Sequence, residues 1–152
     1  MTQVSELISK YLVFHDLDDE YQQLLADNAK IEQYEKGDSI FNKGASADSL
    51  YIITLGELEL LEIESDRSSN LPAQVVKEGE LVGWSWLMPE GRWNYFAKAL
   101  TQLELVCINA TPIREKIQDD HEFGYQMYKR LYHTVVERLF NTRCHMYEFM
   151  KK

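Results

Sequence analysis

Residues Tyr34 to Leu60 read YEKGDSIFNKGASADSLYIITLGELEL, and this stretch decides the fold. Gly37, Gly44 and Gly56 punctuate short runs of β-type residues, Ser39-Ile40-Phe41 and Leu50-Tyr51-Ile52-Ile53-Thr54. β-Branched and aromatic side chains favour strands, and glycine permits the positive φ that a tight corner demands. Strand, corner and strand in quick succession predict an antiparallel barrel or sandwich.

Outward from this stretch the pattern changes in both directions. Val4, Leu7, Ile8, Tyr11 and Leu12 recur at helical spacing, predicting a helix over 4–14. A second helix runs to about Asn28, capped by Asp16 or Asp18, with Tyr21, Leu24 and Leu25 turned inward. Strands are expected at 29–34, 38–41, 48–55, 57–63, 73–77, near Leu81, at 95–99 and at 103–108. Ser65 to Pro72 reads as a polar hairpin loop.

Beyond Ile108 the signals are helical again. Asn109 or Thr111 can cap a helix with Pro112 in its first turn, where a missing N–H costs nothing. That helix ends near Gln118 to Asp120, and Asp119 with Glu122 suggests a capping box for a longer one. The predicted organisation is one domain: helices over 4–28, a barrel over 29–109 and C-terminal helices over 110–150.

The apolar positions of the last helix cover nearly half its circumference, which suggests two packing duties. One stripe is Tyr132, Val136, Phe140 and Tyr147; the other is Tyr128, Leu131, Val135 and Leu139, spaced as in a coiled-coil seam. One would pack on the barrel and the other on a second copy. We draw the homodimer seam at Tyr128, Leu131, Val135 and Leu139.

Composition narrows the functional classes. The 152-residue chain is 45% hydrophobic and 12% aromatic, enough to bury a core without disulfides. Its net charge of −9 opposes attraction to nucleic-acid backbones. Residues 121–152 hold six Lys/Arg against three Asp/Glu, a net of +3, so the preceding part carries −12. Cys107 and Cys144 form no metal spacing, and His15, His121, His133 and His145 form no ligand pair. No bilayer-length apolar run and no leader-like N-terminus is present, so a cytoplasmic location is expected. No nucleophile elbow, phosphate loop or dinucleotide fingerprint occurs, and the expectation is a protein that is not an enzyme and uses no cofactor.

The glycines at 37, 44 and 56, Gly79-Glu80, Gly83 and the final strand-to-helix passage resemble the cyclic-nucleotide-binding domain of the CRP/FNR sensor family. The resemblance covers about Phe14 to Arg143 and implies a jelly-roll barrel that holds a small ligand and a C-terminal helix that reports on it. In such binders a Gly-Glu pair opens the ligand cassette and its Glu holds the ribose. An Arg followed by small residues meets the phosphate. Here Gly83 is followed by Trp84-Ser85-Trp86-Leu87, and Arg92 by Trp93-Asn94-Tyr95. The carboxylate at the ribose position, worth roughly 1.5–3 kcal/mol as a charge-assisted bond, is missing. The short helix of the cassette is replaced by WSWLMPEGRW, 84–93.

The expected binding residues are therefore Gly83, Trp84, Ser85, Trp86, Arg92, Trp93 and Tyr95. They would form an aromatic pocket for an unidentified small molecule other than cAMP or cGMP, with Arg92 available to anchor a carboxylate. Two alternatives stand beside this reading. The aromatics simply fill the pocket and the domain serves protein interaction, or the chain is a genuine cyclic-nucleotide binder. Direct DNA binding is not expected, because no recognition helix follows the last helix.

Overall fold

The computed structural model describes residues 3–11, 13–62, 74–88 and 90–151. Helices α1 (Gln3–Lys10) and α2 (Asp19–Asp27) lead into seven strands: β1 (Ala29–Tyr34), β2 (Ser39–Phe41), β3 (Ser49–Leu55), β4 (Leu58–Leu61), β5 (Gln74–Val76), β6 (Phe96–Ala99) and β7 (Leu103–Asn109). Helices α3 (Ala110–Asp119) and α4 (His121–Met150) follow. The strands form two antiparallel sheets, ordered β1-β7-β3 and β2-β6-β4-β5. This is the jelly-roll arrangement expected, with helices at both ends of the chain.

β7 is the middle strand of its sheet, and Leu105, Val106, Cys107 and Ile108 are all buried. Successive strand residues face opposite sides, so four buried in a row means that both faces are covered. The core joins barrel residues such as Leu50, Ile52, Leu58 and Val76 to Ile8, Phe14 and Leu25 from the N-terminal segment and Ile113, Phe123 and Met127 from α3 and α4.

Two corners show why glycine is needed. At Gly56, φ is +86°, and a Cβ would sit 2.1 Å from the Gln102 carbonyl oxygen and 2.6 Å from Thr101 Oγ1. At Gly37, φ is +92° but the surrounding space is open. The first site combines a backbone demand with a close approach; the second carries the backbone demand alone.

Several boundaries differ from the expectation. The first helix stops at Lys10, because Phe14 N–H and His15 N–H both turn back to the Tyr11 carbonyl. Asp18 occupies the cap of α2 without a side-chain bond to it. The strand piece near Leu81 is a single bridge to Ile52. Expected strand ends at Ile63 and Ala73 and the loop Ser65 to Pro72 lie outside the described residues. Asn109 caps α3, its Oδ1 accepting from Thr111 N–H at 3.1 Å. Asp120, not Asp119, caps α4: its Oδ1 accepts from Phe123 N–H at 3.1 Å.

The seating of α4 departs most. Its buried residues are Phe123, Gly124, Met127 and Leu131. Gly124 permits a tight crossing, since a Cβ there would lie 3.0 Å from the Ile117 carbonyl oxygen. Farther along, the face toward the barrel is polar. Arg138 Nη2 donates to the Leu81 carbonyl at 2.7 Å, and Gln74 Nε2 to Thr142 Oγ1 at 3.0 Å. Tyr132, Val136, Phe140 and Tyr147 are exposed, so that stripe does not pack on the barrel.

Alanine at Gly37 should cost about 1–2 kcal/mol, the left-handed backbone penalty alone. Alanine at Gly56 should cost roughly 1–3 kcal/mol more, because the backbone must also move away. Urea unfolding of the two variants measures the difference; equal losses would contradict the packed corner.

Candidate functional site

The segment from Gly83 to Tyr95 is built as a closed corner. Val82 N–H donates to the Tyr51 carbonyl at 2.9 Å, which ties its start to β3. Gly83, at φ +69°, turns the chain. Ser85–Leu87 then form one 3₁₀ turn, so a helical remnant survives where the sequence suggested none. Glu90 takes a positive φ of 59°, and Gly91 packs so closely that a Cβ would meet Ser85 O at 2.2 Å. The exit is held by Ala47 N–H to Gly91 O at 2.8 Å and Trp93 N–H to Ala45 O at 2.9 Å.

The expected binding residues share this corner but not one cavity. Trp86 is fully buried, its carbonyl accepts from Arg114 Nη1 at 2.7 Å, and its indole N–H has no partner among the described residues. Trp93 is 5% exposed and stacks on Phe41, with centroids 4.1 Å apart and planes 10° apart. The same indole lies against Gly83, 3.3 Å from where a Cβ would sit, and 6.1 Å from the Tyr51 ring centroid. Trp84, Ser85 and Tyr95 are half-buried. Arg92 is exposed, and its Nη1 donates to the Gly44 carbonyl at 2.9 Å. Burial pushes the Tyr51 phenol well above its ordinary range, with nearby Cys107 and Glu32 adding to it. The buried part of this corner is apolar and aromatic.

The described residues do contain a cavity, of about 720 Å³, but elsewhere. It lies between the end of α1, β5 with the turn at 78–81, and the middle of α4. None of the seven expected residues lines it. Its α4 wall carries Arg130, Thr134, Arg138 and Asn141, a polar line at three- and four-residue steps. That periodicity is visible in the sequence, but its apolar neighbours at the same period obscure it. Among the described residues no group of three or more His, Cys, Asp or Glu could hold a metal ion.

The expected dimer residues divide. Tyr128 and Leu139 are exposed and Val135 is half-buried, whereas Leu131 is 3% exposed and belongs to the protein's own core. Tyr128, Tyr132, Val136 and Leu139 form an outward apolar row, all at least 44% exposed.

A sequence model described as the cyclic nucleotide-binding domain matches residues 31–120, more than half of the chain. No curated protein matches. A candidate cyclic nucleotide-binding protein of Geobacter metallireducens GS-15 is similar in structure, with a TM-score of 0.77 and 24% identity over 91% of this chain and 99% of that one. The sensor domain of the transcriptional regulator DNR from Pseudomonas aeruginosa gives 0.67 and 16% over 84% and 90%. The catabolite activator protein of Thermus thermophilus gives 0.62 and 22% over 88% of this chain and 61% of its own length. At these identities the solved structures speak for the fold.

The stack on Phe41 makes Trp93 a packing residue whatever else it does. Trp93→Ala should lower stability by about 3–5 kcal/mol. A loss below about 1 kcal/mol in chemical denaturation would mean that the indole is not integral to the corner.

Proposed function

The chain belongs to the cyclic nucleotide-binding domain family, and from that premise we propose that it is a non-enzymatic regulatory domain whose ligand is a small molecule other than cAMP or cGMP. The observation that carries this reading is the stacked, buried Trp93 beside Gly83, together with the outward-facing Arg92. A cyclic phosphate entering this corner would meet indole rings. The arginine would have to leave the Gly44 carbonyl and cross the corner to reach it. Trp84 offers no carboxylate for a ribose hydroxyl, so the charge-assisted bond is lost as well. Gly83, Trp84, Ser85, Trp86, Arg92, Trp93 and Tyr95 are the residues we assign to the cassette.

Two observations support the regulatory half of the reading. α4 is continuous for 30 residues and touches the barrel along one narrow line. Its outer face exposes Tyr128, Tyr132, Val136, Leu139 and Phe140 as an apolar row, and large exposed apolar patches mark interaction sites. A homodimer through this face is part of the proposal, its seam running along Tyr128, Tyr132, Val136 and Leu139 and leaving out the buried Leu131 and half-buried Val135. A domain that kept the scaffold for protein interaction is the second reading, favoured by the same apolar face. No helix among the described residues is long and apolar enough to cross a membrane.

Isothermal calorimetry with cAMP and cGMP should show no saturable heat below about 1 mM, a binding free energy weaker than roughly −4 kcal/mol. A micromolar dissociation constant for either nucleotide would overturn the ligand reading.

Light scattering at micromolar concentration should give about twice the 17.9 kDa chain mass. Tyr132→Glu with Leu139→Glu should give a folded monomer, since both side chains are more than half exposed and leave the core intact. A monomeric wild type would refute the dimer.

A further inference from the structure

The groove between α1 and α4 has the features of a second binding site, lined by none of the cassette residues. Its central group is Arg138. This guanidinium is largely buried, and burial lowers its affinity for its proton. Among the described residues no carboxylate lies within 4.0 Å of it, although four other basic groups have such a partner. Its assigned bond is the one to the Leu81 carbonyl. A guanidinium has five N–H donors in a planar fork, so most of its capacity is unspent. Glu80 and Glu137 act favourably on its charge without touching it, which leaves the direct counter-ion position open.

Two turns earlier on the same wall, Arg130 is nine-tenths buried. Asp16 is its partner at 2.5 Å, and its Nε–H has no acceptor among the described residues. An arginine in direct contact with its counter-ion and one whose nearby carboxylates, Glu80 and Glu137, act on it only at longer range therefore line the same cavity. The contrast separates a tie that holds α4 to the N-terminal segment from a cation left facing the space.

The charge of the lining selects the ligand. Lys10, Arg130, Arg138, His133 and His145 share it with the carboxylates of Glu78, Glu80 and Glu137. Glu78 accepts from Tyr11 Oη–H at 3.3 Å and Glu80 from Lys77 N–H at 3.2 Å, and each carboxylate retains further lone pairs. A phosphate dianion would face three glutamates. A lone amine would leave Arg138 without a direct counter-ion. A molecule with one carboxylate and one ammonium presents each charge to its opposite. Thr134 and Asn141 add hydrogen-bonding groups on the α4 side.

We propose that the groove between α1, the 78–81 turn and α4 binds a small zwitterion of the amino-acid class, with Arg138 as the counter-ion to its carboxylate and the glutamates facing its ammonium. Because Arg138 also ties α4 to Leu81, occupancy would alter how the middle of α4 is held, which gives the site a regulatory consequence.

The test is calorimetry and thermal melting of the full chain with the standard amino acids, each to about 10 mM. Succinate, inorganic phosphate and butylamine serve as single-charge-type controls. At least one amino acid should saturate, and the controls should bind at least tenfold more weakly. Arg138→Gln should weaken binding tenfold or more. Asn141→Trp, an exposed position on the groove wall, should abolish binding with the melting temperature unchanged, which covers the case in which Arg138→Gln fails to fold. No saturation by any amino acid would overturn the proposal. So would a control that binds equally well, or binding that survives both substitutions. The cAMP and cGMP titrations report on the cassette separately, so either reading can fail alone.

Discussion

Asp120 stands where three helices meet, and the placement of α4 depends on it. One carboxylate oxygen closes the first turn of α4 through Phe123 N–H, and the other accepts from Tyr21 Oη–H at 3.0 Å. Lys116 lies 3.5 Å away on α3. The backbone bond to Phe123 leads in holding the carboxyl below its usual range, with Tyr21 and Lys116 adding to it. Its charged form is therefore the one the fold favours, and that contribution fades as acid protonates it. Tyr21 in turn packs its ring on Phe123, 4.9 Å between centroids. One short side chain thus aligns the N-terminal helices, the α3–α4 elbow and the direction in which α4 leaves the barrel.

The barrel was legible because its constraints are local. Gly56 and Gly83 must turn the chain at positive φ, and the β-branched run between Leu50 and Thr54 has one reasonable conformation. The seating of α4 was not legible. A count of apolar residues points to Tyr132, Val136 and Phe140 as the packed stripe, yet these face outward. The inner line passes from Phe123, Met127 and Leu131 to Thr134, Arg138 and Thr142. Midway along the helix, apolar burial gives way to hydrogen bonds, and hydrophobic periodicity is blind to that change.

The cassette was half legible. The residue types that depart from a nucleotide binder are plain in the sequence. That Trp93 is spent on Phe41 is not, because Phe41 lies 52 positions earlier and meets it only across the barrel corner. The groove along α4 was invisible for a related reason. Three segments, within 10–13, 74–81 and 130–145, each contribute a wall, and no single stretch carries its pattern. A vacancy in a fold is a long-range property, whereas a corner is a short-range one.

The contrast along α4 makes the helix a lever. Its apolar anchorage ends at Leu131, and the 19 residues from there to Met150 extend about 28 Å at 1.5 Å per residue. A tilt of about 10° at the anchorage would carry the tip roughly 5 Å. Among the described residues, the side-chain hydrogen bonds that join this part of the helix to the barrel are those at Arg138 and Thr142. Small changes at those two ties are thereby amplified at the far end of the helix, where Met146, Tyr147, Phe149 and Met150 are the surface on display.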